Sequence, residues 1–121
     1  MAQRAKLGVR RALDRWANPE HHEAEELQED AAKAGCSPIV EADDREEVDL
    51  QGSLKTVTLR PRGGVPALEA ELYDGSGKVT VIWLGRRRIP GIEPGRQVKV
   101  TGRVGVKDGQ RVLFNPRYEL R

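Results

Sequence analysis

The stretch PALEAELYDGSGKVTVIWLG, residues 66–85, shows two runs of alternating character on either side of a turn. Leu68, Ala70 and Leu72 alternate with Glu69, Glu71 and Tyr73, the pattern of a strand with one buried face. DGSG (74–77) is a hairpin turn, because Gly75 and Gly77 accept a positive φ. KVTVIWLG (78–85) is the returning strand. Val79, Val81 and Trp83 share one face of it, which favours Trp83 in the core over an outward stacking platform for single strands; Thr80, Ile82 and Leu84 take the other face. Arg86, Arg87 and Arg88 follow at once, where many folds start a helix.

Working outward, VDLQGSLKTVTLRP (48–61) predicts a long first strand, with Val48, Leu50 and Leu54 in one register. RGGVP (62–66) reads as a flexible loop to the second strand. Beyond the arginines, IPGIEPG (89–95) is a connector too short for a normal helix. RQVKVTGRVGV (96–106) is a fourth strand, KDGQ (107–110) a second hairpin turn, and RVLFNPRYEL (111–120) a fifth strand. Val48-x-Leu50-x-Gly52-x-Leu54 is echoed by Val98-x-Val100-x-Gly102-x-Val104, and a glycine in mid-strand suits a sharply curved strand. Five strands with short links and no covering helix predict a mainly β fold, a five-stranded Greek-key OB-fold barrel over residues 46–121. An SH3-like barrel is the other small option. The long first strand and the separate connector after the third favour the OB arrangement.

Residues 1–45 differ in texture. Residues 2–17 suit a helix, with Val9, Leu13 and Trp16 on one stripe, stopped by Asn18-Pro19. A second helix is expected from Glu20 to Ala34, with Gly35 as its stop, and SPIVEADDREE (37–47) reads as a linker. The barrel is thus preceded by an N-terminal α-helical extension. Its charge is segregated: residues 1–19 carry +4, residues 20–45 carry −7 and residues 46–121 carry +5, so the overall +2 hides the pattern. The acidic segment folding back over the basic barrel, in competition with a polyanion, is one reading; an acidic solubilising helix is the other.

LYDGSGKVTVIWLG (72–85), IEPGRQVKVTGRV (92–104) and LFNPRYEL (113–120) together resemble the OB-fold nucleic-acid-binding family. Within it they are similar to the wedge domain of RecG-type branch-migrating helicases, to the anticodon-binding OB domains of aminoacyl-tRNA synthetases and to small stand-alone actinobacterial OB-fold proteins. The shared pattern is Asp-Gly-x-Gly before strand three, Pro-Gly before strand four and Asn-Pro-x-Tyr in strand five. The resemblance implies a bacterial nucleic-acid-binding protein acting in DNA repair and recombination or in RNA metabolism. It departs from the helicases in having no G-x-x-x-x-G-K-[ST], so a wedge-like role needs a protein partner such as a helicase. RRRIPGIEPG stands in place of the usual helix between strands three and four, so nothing known of that helix carries over.

In OB topology the first-to-second and third-to-fourth connectors share one end of the barrel. Arg60 and Arg62 then join Arg86, Arg87 and Arg88 on one basic rim, and the fourth-to-fifth turn adds Lys107 and Arg111 beside the ligand face. Guanidiniums engage phosphate oxygens in pairs, so the rim predicts backbone binding of single-stranded or structured DNA, or of RNA. A solvated rim is the plainer alternative. Tyr73 is the only aromatic expected on the outward face of strands two and three, where Glu69 and Glu71 repel phosphate. Phe114 and Tyr118 share a parity, one packing inward and the other capping the barrel. Lys55 and Arg117 are secondary candidates, and Asn115 is the lone base-edge reader, in a dipeptide that more often bends a strand.

Catalysis is not expected. Ser37, Ser53 and Ser76 lie in no nucleophile elbow, and His21-His22 with distant Cys36 has no metal-ligand spacing. No cofactor is expected. A single cysteine suits a reducing cytoplasm, the N-terminus lacks the apolar region of a secretory signal, and no apolar run approaches membrane-spanning length. The alternative function is a protein-interaction barrel, an adaptor with Tyr73, Ile82 and Leu84 as an exposed apolar patch and its arginines facing an acidic partner.

Overall fold

The computed structural model describes residues 19–121. The helix expected over residues 2–17 lies outside them. The first described element is α1 (Pro19–Lys33). It ends where expected: Cys36 N–H donates to Ala31 O (2.9 Å) and Gly35 N–H to Ala32 O (3.1 Å), the paired bonds of a Schellman cap. Leu27 and Ala31, one turn apart, are its buried residues.

The strands are β1 (Glu47–Leu59), β2 (Ala67–Tyr73), β3 (Lys78–Leu84), β4 (Gln97–Lys107), β5 (Gln110–Phe114) and β6 (Arg117–Leu120). They follow the order β1-β2-β3-β5-β4-β6, and β1 also pairs with β4, which closes five strands into a barrel. Only β3 and β5 run parallel; the other pairs are antiparallel. This is the OB-fold topology. The length of β1 has a structural reason. Its first half pairs with β4, from Glu47↔Arg103 to Ser53↔Gln97, and its second half with β2, from Ser53↔Tyr73 to Leu59↔Leu68. A register shift between Leu54 and Thr56 turns the strand from one partner to the other.

The expected fifth strand is two. Asn115 takes φ 49 and Pro116 has no N–H to donate, so the chain leaves β3 and re-pairs with β4 as β6. Asn115 clips this break: its amide donates to Ile82 O (2.7 Å) and its side-chain carbonyl accepts Leu84 N–H (2.8 Å). The shared parity of Phe114 and Tyr118 therefore has no consequence. Both are exposed, and Tyr118 sets its ring edge-on to Trp83 with centroids 5.7 Å apart. Trp83 is in the core as expected, 5% exposed, with its indole N–H donating to Pro116 O (3.1 Å).

The core holds Leu50, Leu54, Leu72, Val79, Val98, Val100 and Leu113, the inward positions of the alternating pattern. Burying each such side chain contributes about 1.5–3 kcal/mol. Two irregular segments complete it. Ile89 and Ile92, from the β3–β4 connector, are buried, taking the place of a covering helix. Residues 37–47 are not a free linker: a short 3-10 turn (Ile39–Glu41) buries Ile39 and places Ala42 in the core. Ile39 N–H donates to Asp74 Oδ2 (2.8 Å), while Asp74 Oδ1 accepts Ser76 N–H, Ser76 Oγ–H and Gly77 N–H. Asp74 thus ties the hairpin turn and the pre-barrel segment together.

Candidate nucleic-acid interface

The outward positions of β3, β5 and β4 form one strip. Register aligns Thr80 with Val112 and Val112 with Gly105; one step along, Ile82 aligns with Phe114. This strip floors a groove of about 820 Å³. One wall is the β1–β2 loop with Arg62, next to Glu69 on β2; the other is the end of β4 with Lys107 and Asp108; Asp44 and Arg45 close the side before β1. Gly105, without a side chain, deepens the floor, as glycine in a strand does where a ligand approaches.

Both walls end in two-residue turns. Asp108 and Gly109 have φ 53 and 75 between Lys107 and its partner Gln110. Gly63 and Gly64 have φ 55 and 81, and Arg62 and Val65 exchange both backbone bonds, at 2.8 and 3.0 Å. Two consecutive positive φ values are the signature of the I′ hairpin turn. RGGVP is therefore a closed hairpin tip with a defined turn.

Arg62 is held twice more. Its guanidinium carbon lies 5.8 Å from the centre of the Phe114 ring, and its Nη2 is 4.0 Å from Glu69 Oε1. Arg60 Nε stands 3.6 Å from the other oxygen of the same carboxylate. Glu69 thus has both guanidiniums within ion-pair distance, while its buried Oε2 accepts no hydrogen bond from the described residues. Across from them, Arg103 Nη1 donates to Arg45 O (2.6 Å), and Asp44 Oδ1 accepts Val106 N–H (2.9 Å). Arg45, Arg62, Arg103 and Lys107 make the basic lining; Asp44, Glu69 and Asp108 are the acids within it.

The expected residues are divided by the structure. Arg60, Arg62 and Lys107 lie at or beside the groove. Arg86, Arg87 and Arg88 are exposed at the barrel end that carries the β1–β2 loop, since Gly85 N–H donates to Pro66 O (2.7 Å). No described residue pairs with their guanidiniums, and they do not line the groove. Arg111 is turned to the pre-barrel segment: Nε donates to Ala42 O (2.9 Å) and Nη2 to Val40 O (2.7 Å). Tyr73 lies at the far end of β2, under the Lys55 ammonium at 5.4 Å, and Lys55 is paired with Glu23 of α1. The apolar patch of Tyr73, Ile82 and Leu84 does not form. Ile82 is 1% exposed, and Tyr73 pairs with Lys78 at the opposite end of the β2–β3 ladder from Leu84.

Arg45, Arg103, Gly105 and Phe114 were not expected at the site. A signal for three of them exists in the alternation. With Val98, Val100 and Val104 inward on β4, Arg103, Gly105 and Lys107 must face outward, and Leu113 inward sends Phe114 out. Arg45 had no signal, because it reaches the groove through an irregular segment at φ 68.

No protein-family model and no curated protein matches the chain. Among solved structures, one of RecG bound to a three-way DNA junction is similar, with 23% sequence identity and a TM-score of 0.61. The match covers 70% of this chain and 12% of that one. The likeness is one of fold.

Proposed function

We propose that this barrel is a non-catalytic nucleic-acid-binding module that holds the phosphate backbone along the groove between the β1–β2 loop and the β4–β5 turn. The observation that carries the reading is the groove itself: Arg62 and Lys107 stand on opposite walls, each beside a two-residue hairpin turn, over an uncharged floor of Thr80, Ile82, Gly105 and Val112. A phosphodiester chain laid over that floor meets Arg62 on one wall and Lys107 on the other, with Arg45 and Arg103 also in the lining. Guanidiniums bind such oxygens in pairs, and Arg60, Arg86, Arg87 and Arg88 extend the basic surface past the groove's end. The expected specificity for base sequence is low. Asn115 is engaged on the backbone of Leu84, which leaves Gln110 as the amide side chain lining the groove.

The similar RecG structure holds a DNA junction, which supports a nucleic-acid ligand for this fold. The matched region is a small part of that larger protein. In such a role the barrel would act with a motor supplied outside the matched region.

Fluorescence anisotropy with labelled single-stranded, duplex and forked oligonucleotides tests the reading, at about 50 and 200 mM salt. Four phosphate contacts to a single strand give a log–log salt slope of about −2.8, hence a roughly fifty-fold loss of affinity over that range. Salt-insensitive binding, or none at the lower salt, would overturn it.

A further inference from the structure

We propose that the cavity between α1 and β1 is a binding site for a linear aliphatic diamine or polyamine, a ligand with ammonium groups spaced along one flexible chain. The cavity shares no lining residue with the groove, and nucleic-acid binding is not needed for it.

Its volume of about 410 Å³ falls within the roughly 300–1,000 Å³ usual for small-ligand sites. The helix wall presents Glu23, Glu26 and Asp30; the barrel wall presents Ser53, Lys55 and Gln97, with Ser53 and Gln97 directly paired across β1 and β4. Lys55 is the one lysine or arginine in the lining, and its ammonium is already paired with Glu23. Glu26 has His22 beside it, and the Asp30 carboxylate has no partner among the described residues. The lining therefore carries surplus negative charge, which favours a cation and turns away the phosphates that suit the groove. A row of acids on a helix is most often a solvated face. Ser53 sets this one apart. It is 7% exposed, yet its hydroxyl makes no hydrogen bond with the described residues. Its neighbour Leu54 belongs to the core, so Ser53 projects out of the barrel into the cavity that it lines. A buried hydroxyl left unpaired is costly, and an ammonium, with three donors and no acceptor, satisfies it.

Spacing decides between cations. Glu23, Glu26 and Asp30 stand at i, i+3 and i+7 on one face of α1, a span of about 10 Å. A divalent metal ion gathers its oxygens into one coordination sphere, and no three acidic, histidine or cysteine groups among the described residues converge in that way. Ammonium groups held apart by a few methylenes reach carboxylates one helical turn apart. The methylenes then lie against Leu27 and Leu54, the apolar part of the lining.

The test is an NMR titration of the full chain at about 150 mM salt, where distant charges are screened. Putrescine is compared with magnesium chloride, whose cation has the same charge, and with butylamine, which has one ammonium. Putrescine should give saturable shifts confined to the backbone amides of residues 23–30, 53–55 and 95–97. Magnesium and butylamine should need roughly ten-fold higher concentrations or more. Glu26→Gln with Asp30→Asn should weaken putrescine binding roughly ten-fold, and Ser53→Ala several-fold. Glu20→Gln with Glu29→Gln removes the same charge from the same helix outside the cavity, and should weaken it by less than about two-fold. Amides elsewhere in the barrel that keep their positions show that each variant is folded. Putrescine and magnesium acting alike, or the two double variants losing equally, would reduce the effect to screening of a charged helix and overturn the site. A Ser53→Ala variant that binds as the wild type does would remove the barrel's share, and with it the site as described.

Discussion

On β1 the outward residues Gln51 and Ser53 are buried, because α1 packs against that strand; on β3, β5 and β4 the outward residues Thr80, Val112 and Gly105 floor an open groove. Both strips belong to one barrel and alternate with the same core. What separates them is what the rest of the chain does. The helix takes the β1 side with Leu27 and Ala31, and of residues 20–45 only Asp44 and Arg45 reach the groove. The acidic helix thus lies against the face away from the candidate ligand. A barrel with one side covered by its own helix and one side open has a defined binding direction.

The largest break in this contrast comes from two glycines. Gly75, at φ +89, lies so close to α1 that an added Cβ would run into the Ala24 carbonyl. Gly75→Ala combines a left-handed backbone strain with a helix pushed off its seat, and should cost about 3 kcal/mol in urea unfolding. At Gly105 a Cβ would meet only Val112 O, at 3.8 Å. Gly105→Ala should therefore shift stability by less than about 1 kcal/mol. If the two substitutions cost the same, the covered and open sides do not differ as described.

Leu27→Ala sharpens the same point from the helix side. Leu27 is buried, and truncation should cost about 2–3 kcal/mol. Cys36 reports whether the helix has lifted. Burial pushes its thiol pKa up, against a smaller opposing influence from Lys99. At neutral pH a thiol reagent should then react slowly with the native chain and much faster with the Leu27→Ala variant. The sign for stability follows. A raised folded pKa means the thiol's contribution is full below its unfolded value of about 8.5 and is lost as pH climbs through the folded value. Cys36→Ser should remove that alkaline component of the unfolding profile; an unchanged profile would place the titration elsewhere.

The open side breaks by charge rather than by packing. Replacing Arg62 and Lys107 together with alanine should lower single-strand affinity about ten-fold at low salt and flatten the salt slope by roughly 1.4, one phosphate contact per residue. Unfolding should be unaffected, since both side chains are exposed. Gly105→Val, which fills the floor and leaves the walls, should lower affinity several-fold while keeping the slope. An unchanged slope in the double variant would move the phosphates off the groove.

How much of this was legible beforehand depends on where regular alternation ran out. Trp83, Leu68 and Val98 sit where the period of two puts them, and the first strand is long as expected, for a reason only its two partners show. The misreadings lie at irregular backbone. Asn115-Pro116 cuts the last strand, so parity could not be carried from Phe114 to Tyr118. RGGVP looked loose because glycine permits many conformations, and only the paired Arg62–Val65 bonds show which one is taken. Ile39 gave no periodic signal, since a single residue inserted from a 3-10 turn has no period. The basic residues were found by count, but count does not say which guanidinium is already occupied. Arg111 is held by two backbone carbonyls, a fact of the tertiary structure alone.

The smallest expected effect concerns the charges on the covered side. Glu23 of α1 pairs with Lys55, both of them substantially exposed. Such pairs contribute about 0–1 kcal/mol, so Glu23→Gln should leave the unfolding midpoint nearly unchanged while Leu27→Ala moves it clearly. The same substitution, extended to Glu26 and Asp30, tests whether the acidic helix repels a polyanion. These three residues line a separate cavity against β1, with Ser53 and Gln97, and share no lining residue with the groove. At physiological salt, charges farther apart than about 8 Å are largely screened. Oligonucleotide affinity should therefore rise by less than about two-fold at about 150 mM salt and by more at low salt. A large rise at both would mean that the ligand path runs over the helix, and that the side described here as covered is part of the binding surface.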